Sequence, residues 1–200
     1  FSSLKKIVLK FKSIPETKVV IACGKSDPYN INSMYEYIEW PENVYIVKNT
    51  EVVEKLNFPE YNMCIFSMSW DNQVQNLKSQ AIYDISVDEN KTNVLLLHCD
   101  TDEQSNNLFV DLNIIKNKFE YCALGGKHNF LKVSDNAAYC GSPEPLDFEE
   151  SGEHGIIKGI LEKRNVDFKM HQLAKRKFVT RSCNLNINYS FNKILDLIKF

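Results

Sequence analysis

Two neighbouring stretches, Phe119-Glu-Tyr-Cys-Ala-Leu-Gly-Gly-Lys-His-Asn129 and Tyr139-Cys-Gly-Ser-Pro-Glu-Pro-Leu-Asp-Phe-Glu-Glu-Ser-Gly-Glu-His-Gly155, decide how this chain is read. Residues 119–124 have the apolar run of a buried strand, and the Gly125-Gly126 pair ends it and hands His128 to a loop. A second apolar strand closes at Tyr139-Cys140, because Pro143 and Pro145 have no amide hydrogen to give to a ladder. A strand that ends by releasing a histidine into a loop is a common way for an α/β sheet to build a site along one edge.

Working outward, the same pattern recurs upstream. Residues 94–98, Val-Leu-Leu-Leu-His, form an apolar run that ends in His98, Cys99 and Asp100. Nearer the amino end, residues 18–22 read as a short buried strand followed by the Gly/Pro loop Cys23-Gly24-Lys25-Ser26-Asp27-Pro28-Tyr29. Apolar residues at helical spacing predict a helix over residues 4–13, stopped by Pro15. Helices are also predicted over residues 32–39 and 72–81, and a helix or irregular turn over 104–118. Strands are predicted over residues 44–48, 51–56 and 61–68. Toward the carboxyl end, residues 156–163 and 166–173 alternate as a hairpin would, 175–186 reads as a further strand, and a helix follows Ser190.

These motifs carry a resemblance. Gly141-Ser142-Pro143-Glu144-Pro145-Leu146-Asp147-Phe148, with Glu149, Gly152 and Gly155 after it, resembles the calcineurin-like metallophosphoesterases, in particular their DNA-repair exonuclease branch. Gly125-Gly126-Lys127-His128 stands where that branch has Gly-His-x-His, and Gly24-Lys25-Ser26-Asp27 where it has Gly-Asn-His-Asp. The resemblance implies an α/β fold, a two-sheet sandwich flanked by helices, here lacking its first strand–helix unit. It also implies a metallophosphoesterase-like domain over residues 1–165 and the start of a capping domain over 166–200. The implied chemistry is hydrolysis of DNA phosphodiesters by two manganese ions, and the implied partners are DNA and a coiled-coil ATPase subunit. A homodimer is a further expectation.

The departures bear on that chemistry. Lys25 stands at the metal-binding Asn position and, protonated, has no lone pair for a metal; Ser26 stands at the catalytic His position and does not replace imidazole as a proton donor near neutrality. Gly126 stands at the first His of Gly-His-x-His, and the family's Asp-x-His and Gly-Asp-x-x-Asp do not occur before residue 18. In the family they come before the region that this sequence covers. His98 and His128 remain as ligands by resemblance, one for each ion. The expectation is therefore a catalytically degenerate member of the family, with a non-catalytic nucleic-acid- or protein-binding module as the alternative. Without its histidine to orient, Asp27 is expected to stabilise its own turn. A rebuilt zinc site from Cys23, His98, Cys99 and His128 is a minor alternative. Ser142, Asp147, Glu149, Glu150 and His154 contain the residue types of a Ser–His–acid set, but Ser142 sits in a proline-bounded turn, which favours a loop-forming role.

Composition narrows the setting. Hydrophobic residues make up 44% of the 200, enough for a sizeable core. No run of eighteen apolar residues occurs and six scattered cysteines lack C-x-x-C spacing, so a cytoplasmic, reduced protein with no membrane partner is expected. The net charge of −2 hides an asymmetry. From Lys158 onward ten Lys or Arg face three acidic residues, whereas fourteen face twenty-three before it. Lys175, Arg176, Lys177 and Arg181 in that basic tail are the predicted DNA contacts.

Overall fold

The computed structural model describes residues 2–71, 79–105, 108–163, 165–182, 184 and 188–198. The fold is mixed α/β, and its centre is a six-stranded sheet in the order β3-β4-β5-β6-β8-β7. Strand β5, Thr92–His98, lies between β4, Met63–Met68, and β6, Tyr121–Gly125, parallel to both. Its near-continuous apolar run follows from cover on both faces: Val94, Leu95 and Leu97 are all buried. Strand β8, Ala137–Tyr139, extends the parallel set beyond β6. Antiparallel strands β3, Glu54–Phe58, and β7, Leu131–Ser134, close the two sides.

The core packs against this sheet. Phe66, Trp70, Ile82, Leu95, Leu97, Val110, Ile115, Phe119, Leu124 and Tyr139 belong to one buried cluster, with Phe66 and Phe119 edge-to-face at 5.7 Å. Two short helices insert into it, α2 (Ser79–Tyr83) through Ile82 and α3 (Leu112–Ile115) through Ile115. Asp111 caps α3 by accepting the Asn113 amide at 2.8 Å.

A second, parallel pair consists of β1, Val19–Ala22, and β2, Val44–Val47. Residues just after β4 tie it to the main sheet. The Trp70 amide donates to Cys23 O at 2.9 Å, the Tyr29 amide to Trp70 O at 2.8 Å, and the Ser69 hydroxyl to Val47 O at 2.6 Å. Helix α1, Ser2–Lys12, is fastened by Asn43, whose amide donates to the carbonyls of Phe11, Ile14 and Thr17. One buried side chain thus satisfies acceptors that a helix end leaves open. The remaining hairpin, β9 (Gly155–Glu162) with β10 (Asn165–Gln172), rests Phe168 on Tyr121 at 5.1 Å. The boundary expected between residues 165 and 166 falls at the start of β10.

Several predicted elements change. Residues 32–39 form successive turns, not a helix. Asn30 Oδ1 captures the Asn32 amide at 2.8 Å, and the amides of Ser33, Glu36 and Tyr37 each reach back three residues. The strand predicted at 51–56 starts later, because Asn49 Oδ1 accepts the amides of Glu51 and Val52. Among the described residues of the strand predicted at 175–186, the pairing is an isolated bridge between Ser151 and Phe178. Leu185, Asn186, Ile187 and Cys183 lie outside the described residues, as does most of the helix predicted at 72–81. Helix α4, Phe191–Ile198, forms as predicted after Ser190. Cys23, Cys64, Cys99, Cys122 and Cys140 are free thiols, and no helix among the described residues is long and apolar enough to cross a membrane.

Candidate functional site: a cleft at the strand ends

The carboxyl ends of β1, β5, β6 and β8 meet around a cavity of about 260 Å³, lined by residues 24–27, His98, residues 124–128 and residues 140–142. The stretches singled out from sequence therefore converge, and His98 and His128 share one cavity. The strand ends explain part of this: β6 and β8 each stop at a glycine that turns the chain out of the sheet, Gly126 at φ +114° and Gly141 at φ +76°.

His98 is wedged between two glycines. A Cβ added at Gly24 would lie 2.8 Å from His98 Nδ1, and one added at Gly126 would lie 3.3 Å from Nε2. The ring also meets Trp70 edge-on at 4.9 Å. Burial pushes the imidazole below its usual pKa; Asp27 opposes this, whereas Lys25 and His128 reinforce it. His98 is therefore a neutral ring at physiological pH.

His128 is held differently. Its ring is exposed, but Nδ1 lies 2.5 Å from Glu150 Oε1, and the Glu150 side chain is only 7% exposed. The other carboxylate oxygen accepts the Ser142 hydroxyl at 3.1 Å and the Leu146 amide at 3.0 Å. The Leu146 amide holds the Glu150 carboxyl below the usual carboxylate range, against the cost of burial, and His128 and Ser142 add to the effect. As an ionised carboxylate only accepts, His128 carries its proton on Nδ1 and keeps Nε2 as its remaining polar atom.

Ser142, Glu150 and His154 also come together. Ser142 Oγ lies 2.9 Å from His154 Nδ1. His154 is buried, with Nε2 3.2 Å from Glu150 O and Nδ1 3.2 Å from Ser142 O. The ring thus bridges Ser142 and the Glu150 backbone, one nitrogen facing each, the loop-forming role expected from the turn. Sequence reading named Glu150 only among the acids of a Ser–His–acid set and missed it as the hub of this loop. Its partners lie four to twenty-two residues away and follow no motif. Lys127 was passed over too: it pairs with Asp100 at 3.3 Å and lies over the Tyr139 ring at 5.2 Å.

Does this donor set fit the manganese pair implied by the resemblance? It does not. Among the described residues, no three His, Cys, Asp or Glu side chains are grouped to hold one ion. Asp27 spends its oxygens on the Gly24 amide at 3.0 Å and the Tyr35 hydroxyl at 2.6 Å, the turn-stabilising role expected for it. Lys25 and Ser26 line the cavity where the resemblance has Asn and His. At Gly126 the backbone has turned to a conformation that a histidine rarely adopts. The zinc alternative fails on the same ground: Cys23 and Cys99 are buried, and burial pushes both thiols up, Cys23 to about 11.

The basic tail runs beside this loop. The Leu173 and Ala174 amides donate to His154 O, the Lys175 amide donates to Glu144 Oε1 at 3.1 Å, and Phe178 meets Phe148 at 4.9 Å. Lys175, Arg176, Lys177 and Arg181 are exposed, with Lys177 3.6 Å from Glu153. No family model and no curated protein matches this chain.

Proposed function

We propose that this chain is a metallophosphoesterase-like domain that binds phosphate-bearing polymers, DNA first among them, and has given up two-metal hydrolysis. Its sheet and strand-end cleft are compatible with the sandwich of that family, and its Gly-Ser-Pro-Glu-Pro-Leu loop is the most specific point of likeness. One observation supports the reading: the stretches that carry the resemblance line one cleft at the strand ends, and that cleft presents Lys25, Ser26 and Gly126 where the implied chemistry needs lone pairs and a proton donor. Losing residues that would touch the metal costs more than the roughly 10–100-fold lost when a group that only orients a ligand is removed.

The exposed cations of the tail, packed beside the cleft loop, supply a contact for the phosphate backbone. Two measurements test this. Manganese-supplemented protein should not hydrolyse bis(p-nitrophenyl) phosphate above the metal blank, and fluorescence anisotropy should find DNA binding that weakens with salt. Neutralising Lys175, Arg176 and Lys177 together should flatten the salt slope by about three, roughly one per cation. Manganese-dependent turnover would defeat the reading.

A further inference from the structure

The hydroxyl of Ser142 lies between two bases. Its Oγ is 2.9 Å from His154 Nδ1 and 3.1 Å from Glu150 Oε2, with a third acceptor, His128 O, further off at 3.3 Å. One hydrogen serves one acceptor at a time, so passing it from Glu150 to His154 takes only a rotation about the C–O bond. The imidazole is set up to receive it. His154 is buried, and its Nε2 lies 3.2 Å from Glu150 O, a carbonyl that only accepts. A neutral ring with its proton on Nε2 satisfies that carbonyl and turns an unprotonated Nδ1 to the Ser142 hydroxyl. The opposite tautomer would set the Nε2 lone pair against the carbonyl. Glu150 O thus fixes the tautomer as the carboxylate of a Ser–His–acid set does, with the two ring nitrogens exchanged. Of the two bases, imidazole is the type suited to taking a hydroxyl proton near neutrality.

The hydroxyl is both placed and reachable. The Ser142 amide donates to His128 O at 2.8 Å, and Gly141 before it turns the chain at φ +76°. Ser142 is half-buried and lines the strand-end cavity, whose volume of about 260 Å³ lies below the range that holds drug-sized ligands and suits a short acyl chain. Ser26 and His98 line the same cavity and bring an O–H and a ring N–H to it, the kinds of donor that steady charge on an ester oxygen.

We propose that Ser142 is a nucleophile that takes an acyl group from a short-chain carboxylic ester, with His154 as its base. Oγ attacks the ester carbonyl carbon while its proton passes to His154 Nδ1. The bond from that carbon to the leaving oxygen then breaks, and the alcohol departs with the proton from Nδ1. The products are O-acyl Ser142 and the free alcohol. The contacts that hold the loop also hold the nucleophile, and the proposal stands apart from the DNA-binding role given to the tail.

Incubating the full chain with p-nitrophenyl acetate in EDTA tests it, read by p-nitrophenolate release and by peptide mass mapping. A first phase of about one p-nitrophenolate per chain should appear, and the acetyl group should map to Ser142. Ser142→Ala removes one hydroxyl from a half-buried site, so it should keep the native circular dichroism and lose both the first phase and the label on that peptide. His154→Gln should slow the first phase by about 10²-fold or more. His154 is buried, so if that variant loses the native circular dichroism the wild-type map decides alone. Acetyl groups confined to lysines, or a first phase unchanged in Ser142→Ala, would each overturn the proposal. DNA binding measured on the same wild-type protein keeps the two readings apart. Salt-sensitive DNA binding with no acetyl on Ser142 sinks the acyl site alone, and acetyl-Ser142 in a protein that binds no DNA upholds it.

Discussion

Glu150 concentrates more of the cleft's order than any other side chain, since it joins His128, Ser142 and the Leu146 amide in one buried carboxylate. Replacing it with Gln removes a charged acceptor and should cost about 1–3 kcal/mol in a denaturant titration. Its pH signature has a definite sign. The folded carboxyl is depressed, so its contribution is present above the unfolded carboxyl pKa of about 4.3 and is lost as pH falls through the lower folded value. The wild type should therefore lose stability on acidification through that window more steeply than Glu150→Gln, and parallel profiles would refute the assignment. Gly24 is the second residue with a specific demand. Gly24→Ala would put a methyl group 2.8 Å from His98 Nδ1, so the imidazole must move; its NMR resonances should shift while the core methyl signals stay in place. His98 and His128 were legible in the sequence because each ends or follows an apolar strand. The central role of Glu150 was not, since its partners come together only when the loop after β6 meets the loop after β8.

At the level of elements, legibility followed the strength of the local signal. Strands β1, β5 and β6 and the β9–β10 hairpin could be read because apolar runs or alternation stop at glycine or polar residues. The stretch over 32–39 could not. Met34, Tyr37 and Ile38 fall at helical spacing, yet Asn30 and Ser33 side chains offer the backbone closer partners, and Tyr35 spends its hydroxyl on Asp27. The basic tail failed for the opposite reason: its alternation resembles a strand, but it pairs through one bridge and otherwise follows the cleft loop. Two substitutions test the elements. Leu97→Ala in the central strand should cost about 2–5 kcal/mol in a urea titration, because that side chain is buried on a doubly covered strand. Gly155→Ala would place a Cβ 1.9 Å from His171 O, so it should open the first rungs of the β9–β10 ladder and raise amide exchange there, with β5 unaffected.

Across the whole molecule, the main sheet is read most surely from its parallel centre and least surely at its margins. β3 and β7 are short, β3 exposing Lys55 and Asn57 and β7 exposing Leu131 and Lys132, and no run of apolar residues announces either. The cavity and the basic tail are also far apart in sequence, which is why charge counting alone could not connect them. They meet on a single loop: Ser142 faces the cavity, Glu144 receives the Lys175 amide, and the His154 carbonyl receives Leu173 and Ala174. An occupant that stiffens this loop from one side pre-pays ordering for whatever arrives on the other. Thermodynamic reciprocity then requires an occupant of the cavity and an occupant of the tail to change each other's affinity by the same factor.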